Sequence, residues 1–227
     1  MKYFSMFSGI GGFENGIEKA VDRHRKRREA LGCQICGEGN SPNSDSGQMS
    51  HRLPDSSSGS WECVGFSEID KPAIKTYLRH YPNHKNFGDA TKINPSDLPD
   101  FDMLCGGFPC QSFSIAGKRQ GFQDTRGTLF HEILRIIKVK QPRLLFLENV
   151  KGLLSADDGW CFATIISSLD ELGYNVEWQI LNSKNFGVPQ NRERVFIIGH
   201  LRTKPSRQIF PLGEGYKEPE ETTGGTT

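Results

Sequence analysis

Short apolar runs alternate with amphipathic segments along most of the chain. Apolar runs that predict buried strands lie at residues 3–7, 61–66, 101–105, 143–147, 174–181 and 195–199. Apolar residues at helical spacing predict helices near residues 13–21, 128–140 and 160–172. A further helix is expected after Asp70, a suitable N-cap, with Pro72 in its first turn. Strands that alternate with helices predict an α/β fold with a doubly wound, mostly parallel sheet.

Two stretches depart from this pattern. Residues 32–60 are dominated by Gly, Ser, Asn, Asp and Pro, which predicts a long loop inserted into a domain of residues 1–202. Residues 203–227 are rich in Pro, Glu, Gly and Thr, and are interpreted as a linker or a disordered tail.

Composition and charge narrow the setting. A chain of 227 residues with 35% hydrophobic residues can form the core of one α/β domain. The formal net charge is +1, so a nucleic-acid partner would have to meet locally clustered basic residues. The basic run at 23–28 is interpreted as a solvated helix end rather than a DNA contact. Six cysteines without a signal peptide, and no apolar run near the length of a membrane span, predict a cytoplasmic protein.

The most informative stretch is Gly106-Gly107-Phe108-Pro109-Cys110-Gln111-Ser112-Phe113-Ser114. It follows the apolar run 101–105, and its glycines and proline predict that the strand stops there and the chain turns. Cys110 would then lie past the carboxyl end of a strand, where reacting groups gather in open α/β sheets. Pro109 restricts the backbone directly before the thiol. An isolated cysteine is more often a small buried hydrophobe, but these neighbours favour a reactive one.

Three further positions suit a cofactor. The first strand ends at Ser8-Gly9-Ile10-Gly11-Gly12 before a helix, an arrangement in which a ligand can approach the backbone at a helix N-terminus. The spacing does not match the dinucleotide fingerprint. Glu68, after the second strand, could accept hydrogen bonds from both ribose hydroxyls, or it could be a surface acid. Asp89 could bind a ligand or form an Asx turn.

Charged residues also lie next to the later predicted strands. Glu148 follows the run 143–147, at the sheet edge expected for Cys110. Arg192 and Arg194, separated by one residue before a strand, should project to the same side. The alternative for the two arginines is a surface charge cluster.

No metal is expected, although Cys33-x-x-Cys36 leaves a zinc site open. With His51 and Cys63, these residues could supply four ligands, but a single C-x-x-C is a weak signal and the second half of the pattern is irregular.

Together, Phe7-Ser8-Gly9-x-Gly11-Gly12, the Cys110 stretch, Glu148-Asn149-Val150 and Gln190-x-Arg192-x-Arg194 resemble motifs of the DNA (cytosine-5) methyltransferases. The resemblance covers most of residues 2–200 apart from the 32–60 insertion, and it implies S-adenosylmethionine as cofactor. By the same resemblance, the residues that would contact the cofactor are Phe7 and Ile69 on the adenine, Gly9 and Gly11 beside the methionine part, Glu68 on the ribose, Asp89 on the adenine amino group, Ala90 through its amide on a ring nitrogen, and Pro109.

The resemblance also implies a mechanism on double-stranded DNA. Cys110 would add to C6 of a flipped cytosine and make C5 nucleophilic. Glu148 would hydrogen-bond N3 and the exocyclic amine, which calls for a buried carboxyl that carries or gains a proton. Arg194 would hold O2, and Arg192 would brace the site. Such enzymes serve restriction-modification systems or phage and host methylation.

Members of this family normally continue into a target-recognition domain and two later motifs, which we do not find here. The chain could be half of a split enzyme completed by a second polypeptide, a truncated or decayed copy, or a compact enzyme with unusual recognition; the first two are preferred. A cofactor-binding regulatory subunit without catalysis, and an RNA cytosine-5 methyltransferase, remain as alternatives.

Overall fold

The computed structural model describes residues 1–30, 61–109 and 129–212. In these ranges each of the first four strands is followed by an α-helix, and two further strands come after the fourth helix. The strands are β1 (Lys2–Met6), β2 (Glu62–Ser67), β3 (Met103–Gly107), β4 (Leu144–Val150), β5 (Tyr174–Asn182) and β6 (Glu193–Leu201). The helices are α1 (Gly12–Ala30), α2 (Lys71–His80), α3 (Leu129–Lys140) and α4 (Trp160–Glu171).

The six strands form one sheet in the order β2-β1-β3-β4-β6-β5. The pairs β1/β2, β1/β3 and β3/β4 are parallel, while β6 runs antiparallel to both β4 and β5. The predicted doubly wound, mostly parallel α/β fold is therefore confirmed. Because β6 is reversed, its first residues lie at the edge where β4 ends: Arg194 is paired with Val150 and Phe196 with Glu148.

One predicted boundary is wrong. The glycines at 106 and 107 were expected to stop the third strand, but β3 continues through Gly107. A Cβ atom on Gly106 would come within 2.6 Å of the Met6 carbonyl oxygen on β1. These glycines therefore permit close approach of neighbouring strands, and the chain leaves the sheet only after them.

The helix limits agree with the expected end signals. The Asp70 side chain accepts a hydrogen bond from the Ala73 N–H, as predicted for the N-cap of α2. Helix α4 is followed by Gly173, whose φ of +89° suits a helix stop. The basic run 23–28 lies within α1.

The two faces of the sheet are covered unequally within the described residues. On one face, α3 and α4 bury a large apolar core with β1, β3, β4 and β6, including Phe4, Leu104, Ile133, Ile165 and Val195. On the other face, a smaller cluster of Tyr3, Met103 and Cys105 packs against Phe13 and Ile17 of α1.

Residues 203–212 contain no helix or strand, but they are held to the sheet. The Glu177 carboxylate on β5 accepts hydrogen bonds from the backbone N–H groups of Ile209 and Phe210 at 2.7–3.0 Å. Phe210 is buried. A linker would not be expected to make these contacts, and the predicted domain boundary at 202 stays a prediction because residues from 213 lie outside the described part of the chain.

In the parts of the chain that the structure describes, no helix is long and apolar enough to cross a membrane.

Candidate functional site

A cavity of about 720 Å³ opens at the carboxyl ends of β3 and β4. Helix α1 and the aromatic rings of Phe146 and Phe196 form an apolar wall. Glu148, Arg192 and Arg194 supply charged groups, and Phe7 and Gly107 complete the rim that is nearest to β1 and β3. An apolar cavity with a few convergent polar groups is the usual form of a small-molecule or reaction site.

Glu148 and Arg194 form the polar centre of this cavity. The Arg194 Nε atom lies 2.8 Å from Glu148 Oε1, and both side chains are 21% exposed. The nearest Arg192 nitrogen is 3.8 Å from the same oxygen, and its side chain is half exposed. The two arginines therefore project to the same side, as predicted, and they form an ion-pair arrangement with Glu148 rather than a separate surface cluster.

Gly107 allows the Glu148 carboxylate to occupy this position. It is paired with Glu148 across the parallel strands. A Cβ atom at position 107 would come within 2.9 Å of Glu148 Oε2. The sequence showed Gly106-Gly107 only as a strand stop, and the role of Gly107 follows from the neighbouring strand.

Asn149 connects the end of β4 to the segment that leads to Cys110. Its side chain is buried and donates a hydrogen bond from Nδ2 to the Phe108 carbonyl oxygen at 2.9 Å. Pro109 is exposed, and Cys110 lies outside the described residues. The structure therefore places the approach to Cys110 beside Glu148, while the position of the thiol stays a prediction.

The glycine turn after β1 has the backbone that its sequence suggests. Phe7, Gly9 and Gly11 have φ values of +53°, +53° and +92°. Such values are rare for a residue with a side chain, so Phe7 is a constrained position at the cavity rim. A Cβ atom on Gly11 would come within 3.0 Å of the Tyr81 ring, so α2 packs closely against this turn.

Glu68 joins the glycine turn to the loop after β2. Its Oε2 accepts from the Gly9 N–H at 2.9 Å, and Oε1 accepts from the N–H groups of Ile69 and Asp70. Both carboxylate oxygens of Glu68 are thus hydrogen-bonded to neighbouring backbone groups. The ribose contact stays a prediction, since each carboxylate oxygen can accept more than one hydrogen bond. The Ile69 side chain is 69% exposed beside this loop.

Asp89 forms the Asx turn that was considered as an alternative. Oδ1 accepts from both the backbone N–H and the hydroxyl of Thr91. These hydrogen bonds lower the pKa of Asp89, so the carboxylate is an ionised acceptor at neutral pH. Ala90 is buried in the same turn. The turn does not exclude an adenine contact, because Oδ2 is not used by Thr91.

Asn86, which the sequence did not single out, links these two loops. Its amide oxygen accepts from the Glu68 and Gly88 N–H groups, and its Nδ2 donates to the Glu68 carbonyl oxygen. Ser67 adds a 2.7 Å hydrogen bond to the Gly88 carbonyl oxygen.

A buried carboxyl lies behind the glycine turn. Glu14 on α1 is fully buried and accepts a 3.0 Å hydrogen bond from the Tyr77 hydroxyl, which also contacts His84 Nδ1 at 2.9 Å. Burial raises the pKa of Glu14. Tyr81, directly after α2, donates to Glu18, which lies one turn further along α1. Two side-chain hydrogen bonds therefore hold α1 against α2 and the residue that follows it.

The candidate residues thus fall into two neighbouring groups. Phe7, Glu148, Arg192 and Arg194 surround the cavity. Pro109 follows β3, and the other described cofactor candidates lie on the adjoining loops after β1, β2 and α2: Gly9, Gly11, Glu68, Ile69, Asp89 and Ala90.

The zinc candidates Cys33 and Cys36 lie outside the described residues, as does His51. The Cys63 thiol is directed inward, with Sγ 3.4 Å from the Gly65 carbonyl oxygen. Within the described ranges, no group of His, Cys, Asp or Glu could hold a metal ion.

Comparison with known proteins identifies a family. The family model "C-5 cytosine-specific DNA methylase" matches residues 45–224. Type II methyltransferase M.NgoBV of Neisseria gonorrhoeae is 40% identical over 90% of this chain and 42% of its own length. M.NgoBI of the same organism is 49% identical over 94% of this chain and 56% of its own. The chain therefore spans about half the length of the curated relatives it matches.

Solved structures support the fold. The S. pombe Dnmt2 methyltransferase superposes with a TM-score of 0.62 at 19% identity, covering 92% of this chain and 53% of that protein. An E. coli prophage protein, described as a DNA modification methyltransferase, gives 0.57 at 18% identity over 89% and 47%.

Proposed function

Because the chain belongs to the C-5 cytosine-specific DNA methylase family, we propose that it transfers a methyl group from S-adenosylmethionine to C5 of a flipped cytosine in double-stranded DNA. One observation carries the proposal: Glu148 is ion-paired with Arg194 in a cavity beside the segment that leads to Cys110. Type II methyltransferases and an orphan methyltransferase of Bacillus phage rho11s are among the relatives. We therefore infer a role in restriction-modification or phage methylation, in a prokaryotic cytoplasm.

The residues around the glycine turn fit the cofactor. The turn exposes backbone at the N-terminus of α1, and no atom lies within 4 Å of the place that a Cβ on Gly9 would take, so a ligand can approach the backbone there. Asp89 offers an ionised acceptor for an adenine amino group, with Ala90 next to it. When bound, S-adenosylmethionine would supply an electrophilic methyl group.

The chain's own residues then activate the cytosine. The Cys110 thiolate forms a bond to C6, so that the electron pair of the C5–C6 double bond becomes available at C5 to take the methyl group. A base then removes the C5 proton, and the C5–C6 double bond re-forms as the Cys110 thiolate is expelled. Glu148 accepts a hydrogen bond from the exocyclic amine and, once it has gained a proton, donates to N3, which offsets the negative charge that develops on the ring as Cys110 adds. Arg194 holds both Glu148 and the cytosine O2, and Arg192 contributes a second positive charge at the cavity edge.

We further propose that a second polypeptide supplies the part of the relatives that has no counterpart here. The relatives are about twice as long as the matched region.

Covalent trapping tests the proposal. The protein would be mixed with labelled S-adenosylmethionine and duplex DNA containing 5-fluorocytosine. The C5 atom of this base carries fluorine and has no proton to lose. The reaction would be run alone and with a polypeptide carrying the C-terminal half of a relative. We expect a denaturation-resistant complex that Cys110→Ser abolishes while cofactor binding is retained.

Each outcome separates the alternatives. A complex without the second polypeptide would reject the split-enzyme proposal but support the activity. Cofactor binding with no complex in either mixture would contradict the activity and favour a regulatory protein. Transfer to 5-fluorocytosine in transfer RNA but not in DNA would favour the RNA enzyme, which the family match does not support.

A further inference from the structure

The guanidinium of Arg135 on α3 reaches the turn that carries Asp89 and Ala90. It donates to the Ala90 carbonyl oxygen at 2.9 Å and to the Ile93 carbonyl oxygen through its other terminal nitrogen. The two carbonyls belong to a segment more than 40 residues away in sequence. Arg135 therefore fixes the end of this turn through long-range contacts.

Glu132 holds the guanidinium in this orientation. Its Oε2 lies 2.8 Å from Arg135 Nε and 2.7 Å from a terminal nitrogen. The Glu132 side chain is only 13% exposed, so the pair is partly protected from solvent. Only the planar fork of an arginine can bind one carboxylate and two carbonyls together, since a lysine ammonium is a single point of contact.

The start of the turn is fixed by a different residue. Asn86 accepts from the Gly88 N–H at 2.9 Å and is itself bonded to Glu68. The Asx turn of Asp89 then commits Oδ1 to Thr91. Because both ends are held, Asp89 Oδ2 and the Ala90 backbone have defined positions relative to the loop after β2.

We propose that Arg135 is a positioning residue that determines the preference of the cofactor site for adenine. The inference rests on the proposed function, in which Asp89 accepts from the adenine amino group and the Ala90 amide faces a ring nitrogen. Hypoxanthine has the opposite hydrogen-bonding character at both positions. It carries a carbonyl oxygen, an acceptor, at position 6 in place of the amino group, and a hydrogen on N1, which makes N1 a donor. A correctly placed turn therefore rejects hypoxanthine, whereas a displaced turn discriminates less.

The test compares S-adenosylhomocysteine with S-inosylhomocysteine by isothermal titration calorimetry. Wild-type protein should prefer the adenine ligand. In Arg135→Lys, the ratio of the two dissociation constants should fall by about tenfold or more, mainly through weaker binding of the adenine ligand, as expected for one or two misplaced hydrogen bonds. Glu132→Gln should lower the ratio less. Arg79→Lys, at an exposed position on α2, is the matched control and should leave it unchanged.

A merely structural role predicts a different result. If Arg135 only stabilised the fold, both affinities would fall together, the melting temperature would drop and the ratio would stay at the wild-type value; that result would overturn the inference. Failure of the wild-type protein to bind the adenine ligand would instead reject the proposed cofactor, and the inference with it. If Arg135→Lys does not fold, the ratio in Glu132→Gln decides the question.

Discussion

The carboxylate of Glu148 lies over Gly107 of the neighbouring strand, where a Cβ atom would come within 2.9 Å of Oε2. Its other oxygen, Oε1, is 2.8 Å from Arg194 Nε. Gly107 on β3 thus leaves space for the carboxylate, and the Arg194 guanidinium on β6 holds it there. This arrangement makes the orientation of Glu148 sensitive to changes at either neighbour.

Gly107→Ala should lower the rate of methyl transfer by about 100-fold, because displacement of a catalytic group by about 1 Å has an effect of that size. Stability should change little, since the contacted atom is the end of a flexible side chain. Single-turnover assays in the presence of the complementing polypeptide would measure the rate. Gly152→Ala is the control, because a Cβ there meets no atom within 4 Å. Wild-type turnover in Gly107→Ala would show that the position of Glu148 is not critical.

Arg194→Lys should reduce methyl transfer by about 100- to 1,000-fold, as expected when a preorganised charged donor is lost from a reaction site. Cofactor affinity, measured by calorimetry, should be nearly unchanged. The matched control is Lys151→Gln, which removes a 2.9 Å ion pair with Glu193 close by on the surface. Exposed pairs contribute only about 0–1 kcal/mol, so that variant should behave like wild type. Equal losses in both variants would argue against a specific role for Arg194.

Asn149→Ala should destabilise the fold by about 1–3 kcal/mol, because the hydrogen bond to the Phe108 carbonyl oxygen is buried. It should also slow formation of the Cys110 adduct, since Phe108 precedes Pro109 and Cys110. Urea unfolding and covalent trapping would measure the two effects separately. Asn15→Ala, at an exposed position of α1, should change neither. Loss of stability with an unchanged rate of adduct formation would limit Asn149 to a structural role.

Glu14 should make stability depend on pH. Its pKa in the folded protein is raised above the ordinary value of 4.5, chiefly by burial. The stabilisation that the neutral carboxyl provides is therefore present below that ordinary value, and is lost as the pH rises through the folded-state pKa.

The unfolding free energy of wild type minus that of Glu14→Gln should then fall as the pH rises above the ordinary pKa of the carboxyl. Glutamine keeps an acceptor for the Tyr77 hydroxyl, so the comparison isolates the charge. Urea unfolding at several pH values would measure the difference, with Glu18→Gln as the more exposed control. A difference that is constant or rises with pH would contradict the prediction.

Hydrophobic periodicity predicted the six strands and the helices α1, α3 and α4, because buried faces impose their period on the sequence. Helix α2 was predicted from its Asp70 N-cap and Pro72. The projection of Arg192 and Arg194 to one side could also be anticipated from alternation. Their convergence with Glu148 was implied only by the family resemblance, because it depends on the reversed direction of β6. The arrangement around Cys110 remains untested, as residues 110–128 lie outside the described ranges.

What the sequence did not reveal depends on neighbours that are distant along the chain. Gly107 was interpreted as a strand stop, because nothing in its local sequence shows that a carboxylate lies above it. Asn86, Asn149 and Arg135 act through hydrogen bonds to backbone groups of other segments. A backbone acceptor has no residue-specific signal, so such partners could not be identified before the fold was known.

The reversed direction of β6 affects how correctly folded protein can be distinguished from misfolded protein. Arg194 meets Glu148 only in the observed register, in which Arg194 is paired with Val150. A slip of one residue would turn Arg194 to the opposite face of the sheet. Preparations that contain such misregistered molecules could keep normal solubility and helix content. The fraction of active sites, determined by titration with a trapping substrate, is therefore a better measure of correct folding than yield or circular dichroism.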